Sequence, residues 1–236
     1  MLLYNDIIQE QLRLGFIEEV INPIVGQNTH YLPHHGVAKA SATTPLRVVY
    51  NCSAKLGKFS PSLNDCLMKG PSLTEKLQDV LIKFRTKKFA YVADIEKAFL
   101  QVGLQENHRD YTRFLWPRDP FKIDSDIVTY RFRAVLFGAN CSPFLLQNTL
   151  NHHFQNSKSP YAGVLSSAFY VDNLQGVSDN ETEVIEIYRE ANRELKKAGM
   201  TLNQWNSNSP TLRKLILETN DPRQEPASIQ GVLGLD

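Results

Sequence analysis

Residues 168–177 read AFYVDNLQGV. An apolar run climbs to Val171, the polar pair Asp172-Asn173 interrupts it, and Leu174 to Val177 resumes it. Two short hydrophobic runs parted by an Asp-Asn pair predict a β-hairpin. The turn then carries one carboxylate, Asp172, at the tip of a packed, rigid element. Residues 89–99, FAYVADIEKAF, have the same character: an apolar strand that Asp94 breaks where an unpartnered buried charge would be costly. Each Asp also has an ordinary explanation. Asp172 suits a tight turn, and Asp94 suits a helix N-cap. Two strands that each deliver an Asp together predict a shared site for a hard metal ion.

The 236 residues are 42% hydrophobic and 22% charged, the balance of a globular chain with room for one large domain or two small ones. A net charge of +1 gives no global signal for nucleic acid. The local basic cluster Lys83, Arg85, Lys87 and Lys88 suits a solvated helix end at least as well. Cys52, Cys66 and Cys141 are odd in number and form no CxxC pair, so neither a disulfide framework nor a structural zinc site is indicated, and a reducing, intracellular compartment fits. The adjacent pairs His34-His35 and His152-His153 have the wrong spacing for zinc ligands on a helix. No apolar run is long enough to span a bilayer, the N-terminus lacks a signal-peptide pattern, and no membrane partner is expected.

Outward from the two Asp strands, periodicity and punctuation predict the remaining elements. Tyr4 to Leu14 is a helix stopped by Gly15. Ile17 to Val25 is extended, and YLPHHGVAK and LRVVYN are strands joined by a polar turn at 40–45. Leu56 to Gly70 is irregular. Ser72 and Glu75 form a capping box for a helix with Leu73, Leu77, Val80, Leu81 and Phe84 as its stripe. Strands at Tyr111–Trp116 and Ile127–Ala134 flank a loop at 117–126. Ser142-Pro143 opens a helix with Leu146, Leu150 and Phe154 on one side. A second capping box, Ser178 with Glu181, starts a helix that runs to a Gly199 stop. Helices on one face of a largely antiparallel sheet make an α+β fold.

Taken in order, YVADIEKAF, FGANCSPFLLQ and FYVDN resemble motifs A, B and C of reverse transcriptases. YLPHHGV, LRVVYNCSAK, HRDYTRFLW, AGMTLNQWNSN and the terminal VLGL resemble the Pao/BEL group of LTR retrotransposons. The likeness covers nearly the whole chain, and the ordered set is specific where any one motif is weak. It implies a right-hand polymerase: fingers at residues 1–60 and 102–141, palm at 61–101 and 142–236, with an antiparallel palm sheet backed by helices. The thumb and RNase H regions that follow in the family, and its protease and integrase, are missing, so a C-terminally truncated domain is expected.

The resemblance also implies roles. Asp94 and Asp172 are the metal-binding carboxylates for two Mg²⁺ ions, with Mn²⁺ as a substitute. Asn173 stands where the family has a third carboxylate, which predicts impaired catalysis. Tyr170 belongs to the same hairpin motif. Phe99 is the aromatic under the sugar of the incoming nucleotide, where a ring would clash with a ribose 2′-OH and select deoxynucleotides. Arg47 grips the triphosphate, and Lys39 is a second phosphate contact. Gly138 lets backbone approach nucleotide and template, and Gln147 on the following helix is a weaker nucleotide contact, an exposed helix glutamine being its ordinary explanation. Gln204 replaces the Lys usual before Trp205, a proton donor for leaving pyrophosphate. The implied partners are an RNA or DNA template with its primer and deoxynucleoside triphosphates. The competing readings are a catalytically dead remnant that still binds a duplex, and a structural or interaction domain that kept only the fold. Metal-dependent nucleotide addition separates the first from the others, and salt-dependent duplex binding separates those two.

Overall fold

The computed structural model describes residues 2–24, 26, 28–38, 45–73 and 76–219. In chain order the elements are α1 (Leu2–Arg13), β1 (Ile17–Glu19), β2 (His34–Ala38), β3 (Leu46–Tyr50), α2 (Leu63–Cys66), α3 (Leu77–Lys83), β4 (Phe89–Ile95), α4 (Glu106–Arg109), β5 (Arg113–Pro117), β6 (Ile127–Phe132), α5 (Ser142–Gln155), α6 (Ala162–Ser167), β7 (Phe169–Tyr170), β8 (Asn173–Ser178), α7 (Glu181–Lys197), β9 (Leu202–Ser207) and α8 (Pro210–Glu218). They divide into two compact units, one of residues 1–70 and 99–142, the other of 71–98 and 143–236. Among the described residues every pairing between these strands is antiparallel, beside one isolated parallel bridge from Tyr31 to Arg113, and the α+β class holds.

The first unit has a three-stranded sheet in the order β1-β6-β5 and the hairpin β2-β3. Its core is aromatic. Phe114, Phe132, Tyr50, Trp116 and Tyr130 are buried with Ile8 of α1 and Ile17 of β1. Tyr50 sets its ring edge against both Phe114 and Phe132, with centroids 5.0 and 4.8 Å apart, geometry that rings prefer over face-to-face stacking. Leu12 and Gly15 end α1 as the sequence indicates: Gly15 takes φ +73° and its N–H bonds to the Leu12 carbonyl.

The second unit is a four-stranded sheet, β7-β8-β4-β9, with α7 lying against β4, β8 and β9. Along β4 the alternation buries Tyr91, Ala93 and Ile95 and leaves Ala90, Val92 and Asp94 half-buried on the other face. A shift of one residue would drive the Asp94 charge into the core, so the apolar pattern fixes which way that side chain goes. On the covered side Leu146, Leu150, Leu165, Leu174, Val184, Ala191 and Leu195 are fully buried.

Several expectations are corrected. The hairpin turn is Val171-Asp172, since Tyr170 pairs with Asn173 and Asn173 is already the first residue of β8. Val171 takes φ +56° there, a strained conformation for a β-branched residue, and Asp172 keeps the tip. The helix expected from Ser72 begins at Leu77; Ser72 and Leu73 lie outside it, and the capping partner Glu75 is outside the described residues. The N-cap of α7 is Asn180, whose side chain accepts from the Thr182 N–H, rather than Ser178. Ser178 instead bonds Glu183 and the Asn180 N–H, and Glu181 accepts from Ser209 Oγ at 2.6 Å. The strand expected over 17–25 stops at Glu19. Within 56–70, read as irregular, Ser62 and Asp65 make a capping box for the single turn of α2. The terminal VLGL and most of the 40–45 turn lie outside the described residues. Among the described residues no helix is long and apolar enough to cross a membrane.

Candidate active site

Asp94 and the Asp172 turn converge in the second unit. Asp94 sits at the end of β4 opposite Asn173 of β8, and the N–H of Ile95 donates to the Asp172 carbonyl at 3.0 Å. Two carboxylates thus meet at one end of a sheet whose other face is closed by helices. Burial, then the negative charge of Asp172, pushes the Asp94 carboxyl up to about 6. Burial also raises Asp172, opposed by its own backbone N–H and by the side chain of Asn173, whose Nδ2 donates to Asp172 Oδ1 at 3.1 Å. Two crowded carboxylates with raised pKa values form an anionic oxygen pair that a hard cation would relieve, and they fit Mg²⁺. Among the described residues no group of three or more His, Cys, Asp or Glu side chains is placed to hold a metal, so the pair Asp94 and Asp172 has no third such side chain beside it there.

The third neighbour of Asp94 was not foreseen. Asn203 of β9 pairs with Asp94 on the side opposite β8, and it donates from Nδ2 to Glu96 Oε2 at 2.9 Å. Its Oδ1 is buried and finds no hydrogen-bond partner among the described residues. The register shifts between Val92 and Asp94, because β9 spends one more residue than β4 between the pairs Val92-Asn206 and Asp94-Asn203. Gln204, exposed and at φ +53°, lies in this bulge. The extra residue lets Leu202 and Trp205, three apart, both be buried. It also breaks the alternation that would have marked β9 as a strand.

The remaining expected residues divide between the units. Tyr170 and Gln147 belong with the Asp pair to the second unit; Arg47, Phe99 and Gly138 belong to the first. Tyr170, half-buried, is the last residue of β7. Gln147 is not the exposed helix glutamine of its ordinary explanation: it is buried, its Nε2 donates to Asn151 Oδ1 at 3.2 Å, and Oε1 has no hydrogen-bond partner among the described residues. It lies on the packed side of α5, where it joins Asn151 and Ser166.

In the first unit Arg47 is exposed on β3 and pairs with Val37. Phe99 is 5% exposed in the 3₁₀ turn Ala98–Gln101 and meets Phe137 edge to face at 4.5 Å. Gly138 takes φ +105°, and a Cβ there would stand 2.7 Å from the Tyr50 carbonyl oxygen, so only glycine fits. The loop around it is tied by Asn64, which donates to the Gly138 carbonyl and receives the Asn140 N–H. Asn64 has no motif signal; it lies 74 residues away and the loop reaches it only in the fold. Lys39 lies outside the described residues.

A four-stranded antiparallel sheet that presents one Asp from a strand end and one from a hairpin turn is the arrangement of a template-directed polymerase palm. The chain belongs to the reverse transcriptase (RNA-dependent DNA polymerase) family, whose sequence profile matches residues 46–205. No curated protein matches it. Among solved structures it resembles the foamy viral protease–reverse transcriptase dRH in complex with double-stranded DNA, with a TM-score of 0.63 and 14% identity over 84% of this chain. It likewise resembles the native prototype foamy virus protease–reverse transcriptase, with a TM-score of 0.62 and 16% identity over 84% of this chain. At such identities the likeness is one of fold. The chain spans 30% and 22% of those two chains.

Proposed function

We propose that this chain is the fingers and palm of an RNA-directed DNA polymerase from a Pao/BEL-type retrotransposon, with catalysis weakened by Asn173. The observation that carries the reading is the pairing of Asp94 with the turn that holds Asp172, inside the segment that matches the family. The reaction is an in-line attack of a primer 3′-oxygen on the α-phosphate of an incoming deoxynucleotide. Mg²⁺, or Mn²⁺ in its place, supplies Lewis-acid stabilisation of the attacking and leaving oxygens when bound. Asp94 and Asp172 would hold it, since Mg²⁺ takes few protein carboxylates and draws its other oxygens from water and phosphate.

By resemblance to the family, Arg47 would offer a planar fork to the triphosphate, and Lys39 a second cation. Phe99 excludes a 2′-OH from the sugar position, and Gly138 leaves the backbone bare for a close approach. Tyr170 carries β7 into the Asp172 turn. Gln147 is the weaker nucleotide contact, its Nε2 held by Asn151 and its buried Oε1 without a hydrogen-bond partner among the described residues. Two residues argue for reduced turnover. Asn173 removes one negative charge from beside the metals, and Gln204 cannot donate a proton to pyrophosphate as a Lys can.

Primer extension on an RNA template with Mg²⁺ or Mn²⁺ tests the reading, with a thumb from a related element supplied in a parallel set. Nucleotide addition that Asp94→Asn abolishes is the expected result. No addition in any of these conditions, with salt-dependent duplex binding retained, would replace it with a nucleic-acid-binding remnant.

A further inference from the structure

The loop between α5 and α6 is fastened to α7 by three rungs. Ser157 Oγ donates to Glu194 Oε2 at 2.7 Å, Ser159 Oγ donates to Glu190 Oε2 at 2.8 Å, and the Tyr161 hydroxyl donates to Glu186. Alternate residues of an extended segment advance about 6.6 Å and residues four apart on a helix about 6 Å, so every second loop residue meets every fourth helix residue. In each rung the hydroxyl gives its proton to a carboxylate. Ser159 Oγ also accepts the Tyr161 N–H at 3.2 Å, and so orients the next rung. The backbone at 157–159 is neither helix nor strand, and half-buried Ser159 stands between exposed Lys158 and exposed Pro160.

Of the three rungs only Ser159 is followed by proline. Ser142 and Ser209 also precede proline but are buried, and Ser60, half-buried before Pro61, belongs to none of the rungs. We propose that Ser159 is a phosphorylation site for a proline-directed protein kinase, and that a phosphoryl group there opens the clasp. The kinase transfers the γ-phosphoryl of ATP to Ser159 Oγ: the new O–P bond forms, the bond to the ADP oxygen breaks, and the hydroxyl proton leaves to the kinase base. The product has no hydroxyl proton to donate, and it sets a charge of about −1.5 to −2 against Glu190, with Glu186 and Glu194 one turn away on either side. Two nearby cations are already engaged, Arg193 Nη2 with Glu190 at 2.6 Å and Lys197 Nζ with Glu194 at 2.5 Å, and exposed Lys158 beside Ser159 offsets the added charge only in part. The middle rung therefore becomes repulsive, and the strain falls on α6, the short helix that leads straight into β7 and the Asp172 turn.

The test is to treat the chain with Mg-ATP and a proline-directed kinase, map the phosphate by mass spectrometry, and measure amide hydrogen exchange over residues 162–167. Phosphate is expected at Ser159 in the wild type and at background level in Pro160→Ala, whose fold is checked by its far-ultraviolet dichroism. Exchange over 162–167 should quicken about ten-fold in the phosphorylated chain, because local opening governs exchange there. No phosphate at Ser159, phosphate confined to Ser60, or phosphate at Ser159 with exchange unchanged or slowed would each overturn the proposal. None of these readings depends on polymerase activity.

Discussion

Asn173 donates its side-chain N–H to Asp172 Oδ1 at 3.1 Å while its backbone pairs with Asp94 across β8 and β4. Asn173 thus lends an amide donor to the carboxylate beside it. Asn173→Asp removes that donor and adds a charge without changing the shape of the strand. Binding of Mn²⁺, read by paramagnetic line broadening, should tighten by about ten-fold, the effect of roughly 1.4 kcal/mol of added attraction. Primer extension should rise with it. Unchanged Mn²⁺ binding would mean that Asn173 is no lesion, and Gln204→Lys in the same background becomes the next comparison.

The pH behaviour of the metal-free chain follows from Asp94. Its carboxyl titrates at about 6, above the ordinary 3.8, because burial and Asp172 disfavour its charge. A carboxyl raised on folding holds its proton in the folded state where the unfolded chain has lost it. Its stabilising contribution is complete below the unfolded value and fades as pH climbs through 6. Metal-free Tm should therefore fall from pH 4 to pH 7 more steeply in wild type than in Asp94→Asn. Mg²⁺ binding should strengthen over the same interval, since the ion must displace the proton. Parallel Tm curves for the two proteins would contradict the assignment.

Sugar choice is assigned to Phe99, and its burial adds a second consequence. Phe99→Val should admit ribonucleotides to any primer-extension activity by removing the ring that meets the 2′-OH. It also empties volume beside Phe137, so urea unfolding should show a loss of about 1–3 kcal/mol. Equal discrimination by the two proteins at matched folded fraction would remove Phe99 from the sugar site.

Gly176 and Tyr91 are cross-strand partners with no room between them. A Cβ on Gly176 would stand 2.1 Å from the Tyr91 hydroxyl oxygen and 2.3 Å from the ring carbon that bears it. Gly176→Ala should cost about 2 kcal/mol or more, as overpacking of a closed interior does. In the Tyr91→Ala background the same change should cost far less, and the double-mutant cycle measures the coupling. Equal costs in both backgrounds would show that the strand shifts instead.

Many of the strands and helices were legible from local chemistry, while β9, α4, α6 and α8 were not. An apolar run broken by Asp94 marked β4, the apolar stripe marked α5, and the Gly199 stop closed the α7 connection, because each signal needs only neighbours a few residues away. The same locality explains the misplaced details. Ser178-Glu181 and Asn180 both satisfy the composition of a helix start, and Asn180 is the cap because the Ser178 hydroxyl is engaged by Glu183 and its backbone continues β8. Likewise Asp-Asn is a good turn pair, yet sheet pairing draws Asn173 into β8 and moves the strain to Val171.

What the sequence by itself determined is where the candidate residues fall: Asp94 near a strand end, Asp172 at a hairpin tip and Asn173 beside it. Only the tertiary structure decided what surrounds them. Asn203 reaches Asp94 through a register shift that places residues 109 apart in the chain side by side, and no local periodicity encodes that distance. The ordinary explanation of Gln147, an exposed helix glutamine, fails because packing buries it. The raised Asp94 carboxyl arises from desolvation and from Asp172 together, two fields that exist only once β4 and β8 are joined.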